Sequence, residues 1–233
     1  MKLELKQNSI FISDAHFNSQ RRELLGFLCW VETQNFSQIF FMGDIFDFLS
    51  GESSFFMQEN IELINLINKL SARFEVYYFE GNHDFNLKNV FINLTIFSRE
   101  KQPAIFEFYN QKIALSHGDN FIGIGYDIFS QIIRNHLFLK FLNFIDFGFW
   151  LSKKIQKHLE SKNICAKYKI NKHTILSKIN NIDADIISEG HFHQDFSQQI
   201  EGKTYINFPA FACNKKICEF RDGKFTSLNI TFN

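Results

Sequence analysis

The sequence predicts a single α/β domain that carries a helical insertion. Short apolar runs, rich in β-branched and aromatic residues, alternate with stretches that place apolar residues at helical spacing. Metal-competent polar residues follow several of these runs, and the segment 120–183 changes to long helical periodicity. A chain of 233 residues can bury one sizeable core. We therefore predict one domain over residues 1–233, with the insertion at 120–183 inside it.

The first half of the chain predicts three strands separated by helices. Each predicted strand is a short, continuous apolar run, as a buried strand shows. In chain order the elements are a strand at Ser9 to Ser13, a helix at Arg21 to Glu32, a strand at Gln38 to Met42, a helix at Asn60 to Leu70 and a strand at Phe74 to Phe79. The second half predicts strands at Ala104 to Phe108, Lys112 to Ser116 and Ile186 to Ser188, and then a β-rich tail.

Charge and composition exclude several classes of function. Lys plus Arg and Asp plus Glu are equal at 25 each, so no global basic field favours unspecific nucleic-acid binding. The most apolar stretch, Leu137 to Leu151, contains Lys140 and Asp146. It is also shorter than the roughly 20 residues that a spanning helix needs. We predict that the chain does not cross a bilayer and that it has no nucleic-acid partner.

The cysteine pattern indicates a reducing compartment. Cys29, Cys165, Cys213 and Cys218 form no C-x-x-C pair, and the polar start MKLELKQNS predicts that no signal peptide precedes them. Both features are typical of a protein in a reducing cytosol.

Five predicted strands end in residues that can bind metal ions. These are Asp14 with His16, Asp44, Asn82 with His83, His117, and His191 with His193. Each motif alone is weak, because a D-x-H, a G-D turn or a lone His is common without a metal. Their joint placement at strand ends predicts a metal site. A mixed Asp, Asn and His set favours transition metals over Ca²⁺ or Mg²⁺.

The blocks D-A-H, G-D, G-N-H-D, H-G-D and G-H-F-H resemble the five-block signature of the calcineurin-like metallophosphoesterases, and they span Asp14 to His193. The resemblance implies a four-layer sandwich of two mixed β-sheets flanked by helices, with two divalent ions, most simply Mn²⁺, on loops at the strand ends. One ion would be held by Asp14, His16, Asp44 and His193, and the second by Asn82, His117 and His191, with Asp44 bridging both. Two ions about 3.5–4 Å apart would lower the pKa of water and neutralise charge during in-line attack.

The resemblance also assigns roles beside the ligands. His83 resembles the family's non-ligand histidine, which stabilises the transition state or protonates the leaving oxygen, and Asp84 is expected to orient it. General acid catalysis of this kind contributes about 10²–10⁴-fold. Asp47 and Asp119 are candidates for partners that fix a ligand's tautomer. The alternative is that both are solvated loop carboxylates.

The chain also resembles a narrower group, the cytoplasmic UDP-2,3-diacylglucosamine diphosphatases of lipid A biosynthesis. The resemblance lies in F-I-S-D-x-H, M-G-D-I-F-D, E-G-N-H-D-F and S-H-G-D, and in the helical insertion before G-H-F-H. It implies hydrolysis of the UDP-sugar to UMP and 2,3-diacylglucosamine 1-phosphate, by an enzyme peripherally associated with the cytoplasmic surface of the inner membrane. His83 is a departure, because the best-known branch has Arg there, so the chain resembles a divergent branch or another subfamily.

The insertion is expected to determine the substrate. Its aromatic run followed by lysines suggests an apolar groove beside a cationic rim, which suits a lipid-linked nucleotide sugar whose acyl chains contribute about 0.8 kcal/mol per buried CH₂. The alternative is an amphipathic cap packed on the core, with its lysines solvated. Candidate contacts to the diphosphate or uridine are Arg21, Arg22, Lys88, Arg134, Lys167 and Lys169.

Three other functions stay open. The first is a soluble metallophosphodiesterase or phosphomonoesterase that acts on nucleotides or other phosphate esters. The second is a non-catalytic scaffold, as in retromer-type members, although such scaffolds typically lose ligands and every ligand position is filled here. The third is a membrane-surface binding module. The native metal, the oligomeric state and the mobility of the insertion are not predicted.

Overall fold

Two six-stranded sheets form the centre of the protein. The computed structural model describes residues 2–121, 123–166 and 170–230, without the side chain of residue 124. The strands are β1 (Leu3–Glu4), β2 (Ser9–Ile12), β3 (Gln38–Phe41), β4 (Leu49–Ser50), β5 (Glu75–Phe79), β6 (Asp84–Phe85), β7 (Thr95–Phe97), β8 (Ala104–Phe108), β9 (Gln111–Ser116), β10 (Ile186–Glu189), β11 (Phe196–Ile200), β12 (Lys203–Asn207), β13 (Lys216–Arg221) and β14 (Lys224–Asn229).

Both large sheets are mixed. The first sheet has the order β1-β8-β9-β10-β12-β11, and the second has the order β14-β13-β2-β3-β5-β7. In the second sheet β2, β3, β5 and β7 are parallel, whereas β13 pairs antiparallel with β2 and β14. In the first sheet β10 is parallel to both β9 and β12.

Eight α-helices occupy the described residues. They are α1 (Glu23–Glu32), α2 (Ser54–Glu59), α3 (Ile61–Ser71), α4 (Ile124–Ile133), α5 (His136–Ile145), α6 (Trp150–Glu160), α7 (Lys172–Asn181) and α8 (Phe211–Asn214).

Alternation along β2 explains how both faces of the second sheet are buried. Phe11 points between the sheets, where it stacks on Phe40 at 4.4 Å between ring centroids and packs in a cluster with Phe106 of the first sheet. Ile10 and Ile12 point to the other face, where α1 and α3 cover them. A strand buried on both faces is apolar at every position, which is why the continuous run was visible in the sequence.

The first sheet is covered on its outer face by α7. Ile175 and Ile179 of this helix pack with Ala114, Ile187 and Tyr205 of the sheet. The layers are therefore α1 and α3, the second sheet, the first sheet and α7. This arrangement confirms the predicted α/β sandwich of two mixed sheets flanked by helices.

Helices α4 to α7 occupy the stretch that the sequence marked as an insertion, and we call α4, α5 and α6 the cap. Asn135 caps α5 by accepting from the Phe138 amide at 3.0 Å, and Asn171 caps α7 by accepting from the Thr174 amide at 2.8 Å. None of the residues of α5, all of which are described, is buried. Across the described residues, no helix combines the length and apolar character that crossing a membrane requires.

One pair of cysteines departs from the reducing cytosol that the sequence indicated, because disulfides are rare in that compartment. Cys165, which follows α6, forms a disulfide with Cys213 of α8, and their Cα atoms are 5.5 Å apart. Cys29 and Cys218 are free, the first exposed and the second buried. The partners lie 48 residues apart. Because the fold alone brings them together, no spacing rule could reveal the bond.

Candidate metal centre

The predicted ligands converge because the strands before them are neighbours. β2, β3 and β5 are adjacent and parallel in the second sheet, and β9 and β10 are adjacent and parallel in the first. The carboxyl ends of parallel strands open at the same edge of a sheet, where ligands bind in α/β proteins. The loops after these five strands carry all the predicted metal ligands.

Five of the seven predicted ligands adopt a left-handed backbone conformation. Asp14, His16, Asp44, His191 and His193 have φ between 43° and 64°, in the left-handed region. Such residues cost of order 1–3 kcal/mol each and cluster at functional sites. The conformation at Asp14 and His16 is held by backbone bonds from their amides to the carbonyls of Gly43 and Asp44, at 3.1 and 2.9 Å.

Two glycines allow the ligand loops to come this close. A Cβ on Gly81 would lie 2.2 Å from Asp44 Oδ1. A Cβ on Gly190 would lie 2.0 Å from Ser13 Oγ and 2.7 Å from Asp14 Oδ2. Any side chain at either position would therefore push a predicted ligand out of place, which accounts for the Gly in G-N-H-D and in G-H-F-H.

Three overlapping groups of side chains each bring three possible ligand atoms within 4.8 Å of one another. The groups are Asp14, His16 and His193; His16, Asp44 and His83; and Asp44, His117 and His191. Asn82 Oδ1 lies 3.3 Å from His117 Nε2, so it adjoins the third group. The structure thus brings together all seven predicted ligands, with Asp44 between the two predicted ion sites.

The donor set fits two divalent cations. Carboxylate, amide and imidazole groups together suit Mn, Fe or Zn, and the shared position of Asp44 suits a bridging carboxylate. His16 Nδ1 is buried without a geometrically satisfactory hydrogen bond, and Asp47 Oδ1 lies 3.5 Å away. His83 joins one of the three groups, so its ring nitrogen is also close enough to bind an ion.

The electrostatics of the cluster keep its carboxylates ionised. Burial alone would raise the pKa of Asp14, but His193 and His117 lower it to about 2. Burial likewise opposes ionisation of Asp44, yet His117, His83 and the other imidazoles lower its pKa. Both groups are therefore available as anionic ligands at neutral pH.

The imidazoles divide into two kinds. Burial and the charge of His117 lower the pKa of His191 to about 4, so this ring is neutral and able to bind a metal. Burial opposes protonation of His117, but Asp44 and Asp14 raise its pKa to about 9. The carboxylates thus favour positive charge at this point, which a divalent cation would also supply.

Backbone carbonyls orient three of the rings. His117 Nδ1 lies 2.9 Å from the Met42 carbonyl, and His193 Nδ1 lies 3.1 Å from the Ile164 carbonyl. His83 Nδ1 lies 2.6 Å from the Asp47 carbonyl. Each contact fixes the tautomer and leaves Nε2 for the centre of the site, as partners of metal-binding histidines do.

Asp47 and Arg21 form a support for His16. Asp47 lies beside the His16 ring and accepts from Asn18 Nδ2 at 2.9 Å. Arg21 Nε donates to the His16 carbonyl at 2.9 Å, and its guanidinium is 2.9 Å from Asp47 Oδ1. Arg21, predicted as a substrate contact, is therefore already engaged in holding a ligand loop.

Asp84 does not orient His83 as expected. Its fully buried carboxylate accepts from the amides of Asp44 and Ile45 at 3.0 and 2.6 Å, and from the Tyr78 hydroxyl at 2.6 Å. It thus fixes the backbone of the Asp44 loop, while the Asp47 carbonyl orients the His83 ring. Burial and the charge of Asp44 raise the pKa of Asp84 to about 7.

Arg134 is a buried part of the scaffold rather than an exposed substrate contact. It donates to the Gly81 carbonyl at 2.7 Å and lies 3.5 Å from Asp119, which is fully buried. Asp119 also accepts from Arg99 Nε at 3.0 Å, so it bonds to arginines, while the His117 ring is held by Met42.

The other predicted substrate contacts are not gathered at the site. Arg22 is half-exposed and pairs with Glu62. Lys88 lines a groove beside Arg134 and His136. Lys167 and Lys169 lie outside the described residues.

Several supporting residues were missed from the sequence. Gln102 accepts from the His117 amide at 2.6 Å and donates to the Glu80 carbonyl at 2.9 Å. Asn207 donates to the Gly190 carbonyl at 2.6 Å. Glu189 directly precedes the G-H-F-H block, so its position in the sequence could have indicated a supporting role. Gln102 and Asn207 lie in no motif.

A two-sheet sandwich with carboxylates and imidazoles gathered at its strand ends is typical of the metallophosphoesterases. The family model of the calcineurin-like phosphoesterases matches residues 8–195. The chain belongs to this family, as the sequence motifs predicted, and it is a phosphoesterase.

Individual proteins are similar over most of their length. The UDP-2,3-diacylglucosamine hydrolase of Haemophilus influenzae (strain PittGG) is 26% identical over 214 residues, which cover 86% of this chain and 89% of the relative. The protein of the same name from Shewanella piezotolerans is 24% identical over 216 residues, covering 85% and 87%. Among solved structures, vacuolar protein sorting 29 from Cryptosporidium parvum is 15% identical, with a TM-score of 0.45 and coverage of 94% of both chains.

Proposed function

We propose that this chain hydrolyses UDP-2,3-diacylglucosamine to UMP and 2,3-diacylglucosamine 1-phosphate with the help of two divalent cations, most simply Mn²⁺. The observation that carries the proposal is a cavity of about 430 Å³ lined by two predicted metal ligands, by a residue of α4 and by residues that follow α6. Its lining includes the ligands His191 and His193 together with Tyr126, Ile164 and Ile170. A phosphate at the ligands would thus adjoin an apolar lining. The names of the Haemophilus and Shewanella relatives agree with such a substrate.

The cap offers apolar surface for the acyl chains or for the membrane that contains them. Large side chains exposed on its helices and their connections are Ile128, Phe129, Ile132, Leu137, Phe138, Phe141, Phe144, Phe147 and Trp150. Leu137 is 77% exposed and Phe144 is 75% exposed, although both are strongly apolar. A large exposed apolar patch on a soluble fold marks a site of interaction. The same proposal therefore puts the enzyme at the surface of the membrane that holds its lipid-linked substrate.

The chain's own residues would prepare the reaction in three ways. The two cations, when bound, would supply charge neutralisation and a lower pKa for water. Asp14, Asp44 and the neutral His191 would hold them, with Asp47 and Arg21 fixing His16 in its place. His83, oriented by the Asp47 carbonyl, is the candidate to donate a proton to the leaving oxygen or to stabilise the transition state.

A soluble phosphodiesterase or phosphomonoesterase is the second candidate. The observation that favours it is His83, because the best-known diacylglucosamine-specific branch has Arg at this position. The ligand set and the proton donor would serve either substrate, so the cap distinguishes the two functions.

The experiment is Mn²⁺-dependent release of UMP from UDP-2,3-diacylglucosamine in detergent, measured beside hydrolysis of a bis-aryl phosphodiester. We expect rapid UMP release that chelation of the metal abolishes. Hydrolysis of the aryl ester without UMP release would keep the metal site and reject the lipid substrate. Activity that is unchanged by thorough chelation would reject the metal mechanism itself.

A further inference from the structure

A buried ammonium group lies directly behind the predicted metal ligands. Lys178 of α7 is 1% exposed, and its Nζ is 2.7 Å from both carboxylate oxygens of Glu189, which is equally buried. The same Nζ donates to the Gly118 carbonyl at 2.8 Å. A buried charge is costly unless it is paired and hydrogen-bonded, so this geometry is tightly constrained.

The partners of Lys178 belong to two different ligand loops. Gly118 directly follows His117 at the end of β9. Glu189 ends β10, two residues before His191. The rings of His117 and His191 meet edge to face with 5.1 Å between their centroids. One side chain on a helix outside the five motifs therefore ties together the backbones that carry both histidines.

The rest of the network leaves Glu189 little freedom. Its carboxylate accepts from the Tyr205 hydroxyl at 2.5 Å, and its carbonyl accepts from Asn207 Nδ2 at 3.0 Å. Gly118 adopts φ +119°, and a Cβ there would lie 3.2 Å from Glu189 Cδ. The Gly118 loop is thus packed directly on the carboxylate that Lys178 binds, and a shift of either group would move the other.

We infer that Lys178, through Glu189 and the Gly118 carbonyl, is a positioning residue that sets the distance between His117 and His191 and with it the affinity of the second cation. This inference rests on the proposed two-cation site. It assigns to α7 a function beyond covering the first sheet. The ion predicted at Asp14, His16 and His193 should depend less on Lys178, because its hydrogen bonds go to Glu189 and Gly118, whereas its contact with the loop of His193 is a cation–π interaction with the Phe192 ring at 5.2 Å.

The test measures Mn²⁺ binding by titration calorimetry on the metal-free chain, together with its unfolding temperature. Lys178→Met should weaken the second cation by about tenfold or more, as loss of an outer-shell partner typically does, and weaken the first cation much less. The matched control is Lys203→Met. Lys203 donates to the Ile179 and Ile182 carbonyls at the end of the same helix, away from the ligand loops, so both affinities should stay at the wild-type value.

A double variant separates positioning from stability. Removing only one charge leaves the other buried and unpaired, so Lys178→Met should lower the unfolding temperature, whereas Lys178→Met with Glu189→Gln should recover much of it. The second cation should still bind weakly to the double variant, because the bond to the Gly118 carbonyl is absent.

Three results would overturn the inference. They are wild-type affinity for both cations in a folded Lys178 variant, equal weakening of both cations, and recovery of the second cation in the double variant. A wild-type chain that binds a single cation would instead overturn the two-cation site, and the proposed mechanism with it.

Discussion

Breaking the disulfide between Cys165 and Cys213 should destabilise the whole domain. The disulfide closes a loop that contains α7 and β10 to β12. Because these elements are parts of the core, the loop cannot unfold unless the whole domain unfolds. For a sequence separation of 48 residues, the chain-entropy relation gives a loss of about 14 cal/mol/K, or about 4 kcal/mol at 25 °C. Small domains are stable by only about 5–15 kcal/mol, so the effect is a large fraction of the total.

The bond also lies beside a predicted ligand. Cys213 Sγ is 3.9 Å from His193 Nδ1, and the residue before Cys165, Ile164, accepts from the same nitrogen at 3.1 Å. Reduction would release the segment that carries this carbonyl. We therefore expect the cation held by Asp14, His16 and His193 to bind more weakly to the reduced chain, in addition to the loss of stability.

The assay is urea unfolding with and without a phosphine reductant, on the wild type, on Cys165→Ser with Cys213→Ser, and on Cys29→Ser. The reductant should lower the unfolding free energy of the wild type and of the Cys29 variant by about 4 kcal/mol. It should not change the double serine variant, which should already be destabilised. A wild-type unfolding midpoint that does not respond to complete reduction would refute the reasoning.

The remaining predictions concern the ligand cluster and the cap. Asp44→Ala should abolish hydrolysis and the binding of two cations, since Asp44 adjoins both ion sites, whereas His83→Ala should lower kcat by about 10²–10⁴-fold with two cations still bound. Calorimetry beside steady-state kinetics checks both, and loss of a cation from the His83 variant would make His83 a ligand. Replacing Phe144 and Trp150 with Ser should raise KM for a diacylated substrate by about tenfold or more, because covering a large apolar side chain contributes about 1.5–3 kcal/mol. A short soluble ester should show no such change, nor should Tyr109→Ser, which alters an exposed aromatic residue outside the cap; equal effects on both substrates would make the cap purely structural.

Strands of the second sheet were predictable because burial on both faces leaves a nearly continuous apolar run, and the predicted strand at Gln38 to Met42 is one residue longer than β3. The predicted strand at Ala104 to Phe108 has the observed bounds, although its residues alternate in burial. β4 and β6 were missed, since two-residue strands have no periodicity to detect. The helix α2 was missed for a similar reason, because six residues make fewer than two turns.

At the site, the motifs predicted which residues meet but not what holds them. The gathering of Asp44, His117 and His191 follows from strand ends alone, and the structure places them together. The role of Asp84 could not be predicted, because its carboxylate turns back to the backbone of a loop 40 residues away. No sequence pattern indicated that Lys178 is buried beside the ligand loops, because a single Lys in an amphipathic helix is usually solvated.

Three contacts between the predicted insertion and the core fall on the ligand loops, whereas others, such as Ser19 with Glu160 and Ser54 with Asn143, lie outside them. Arg134, at the end of α4, binds the carbonyl of Gly81 beside Asn82. Lys178 of α7 binds the loop of His117 and the strand end before His191. Cys165, after α6, is bonded to Cys213 beside His193. An insertion that merely covered the core could be attached anywhere, whereas these three attachments reach the ligands predicted for both cations. Substrate binding at the cap and the geometry of the metal site should therefore be coupled, and substitutions in either are best measured on both.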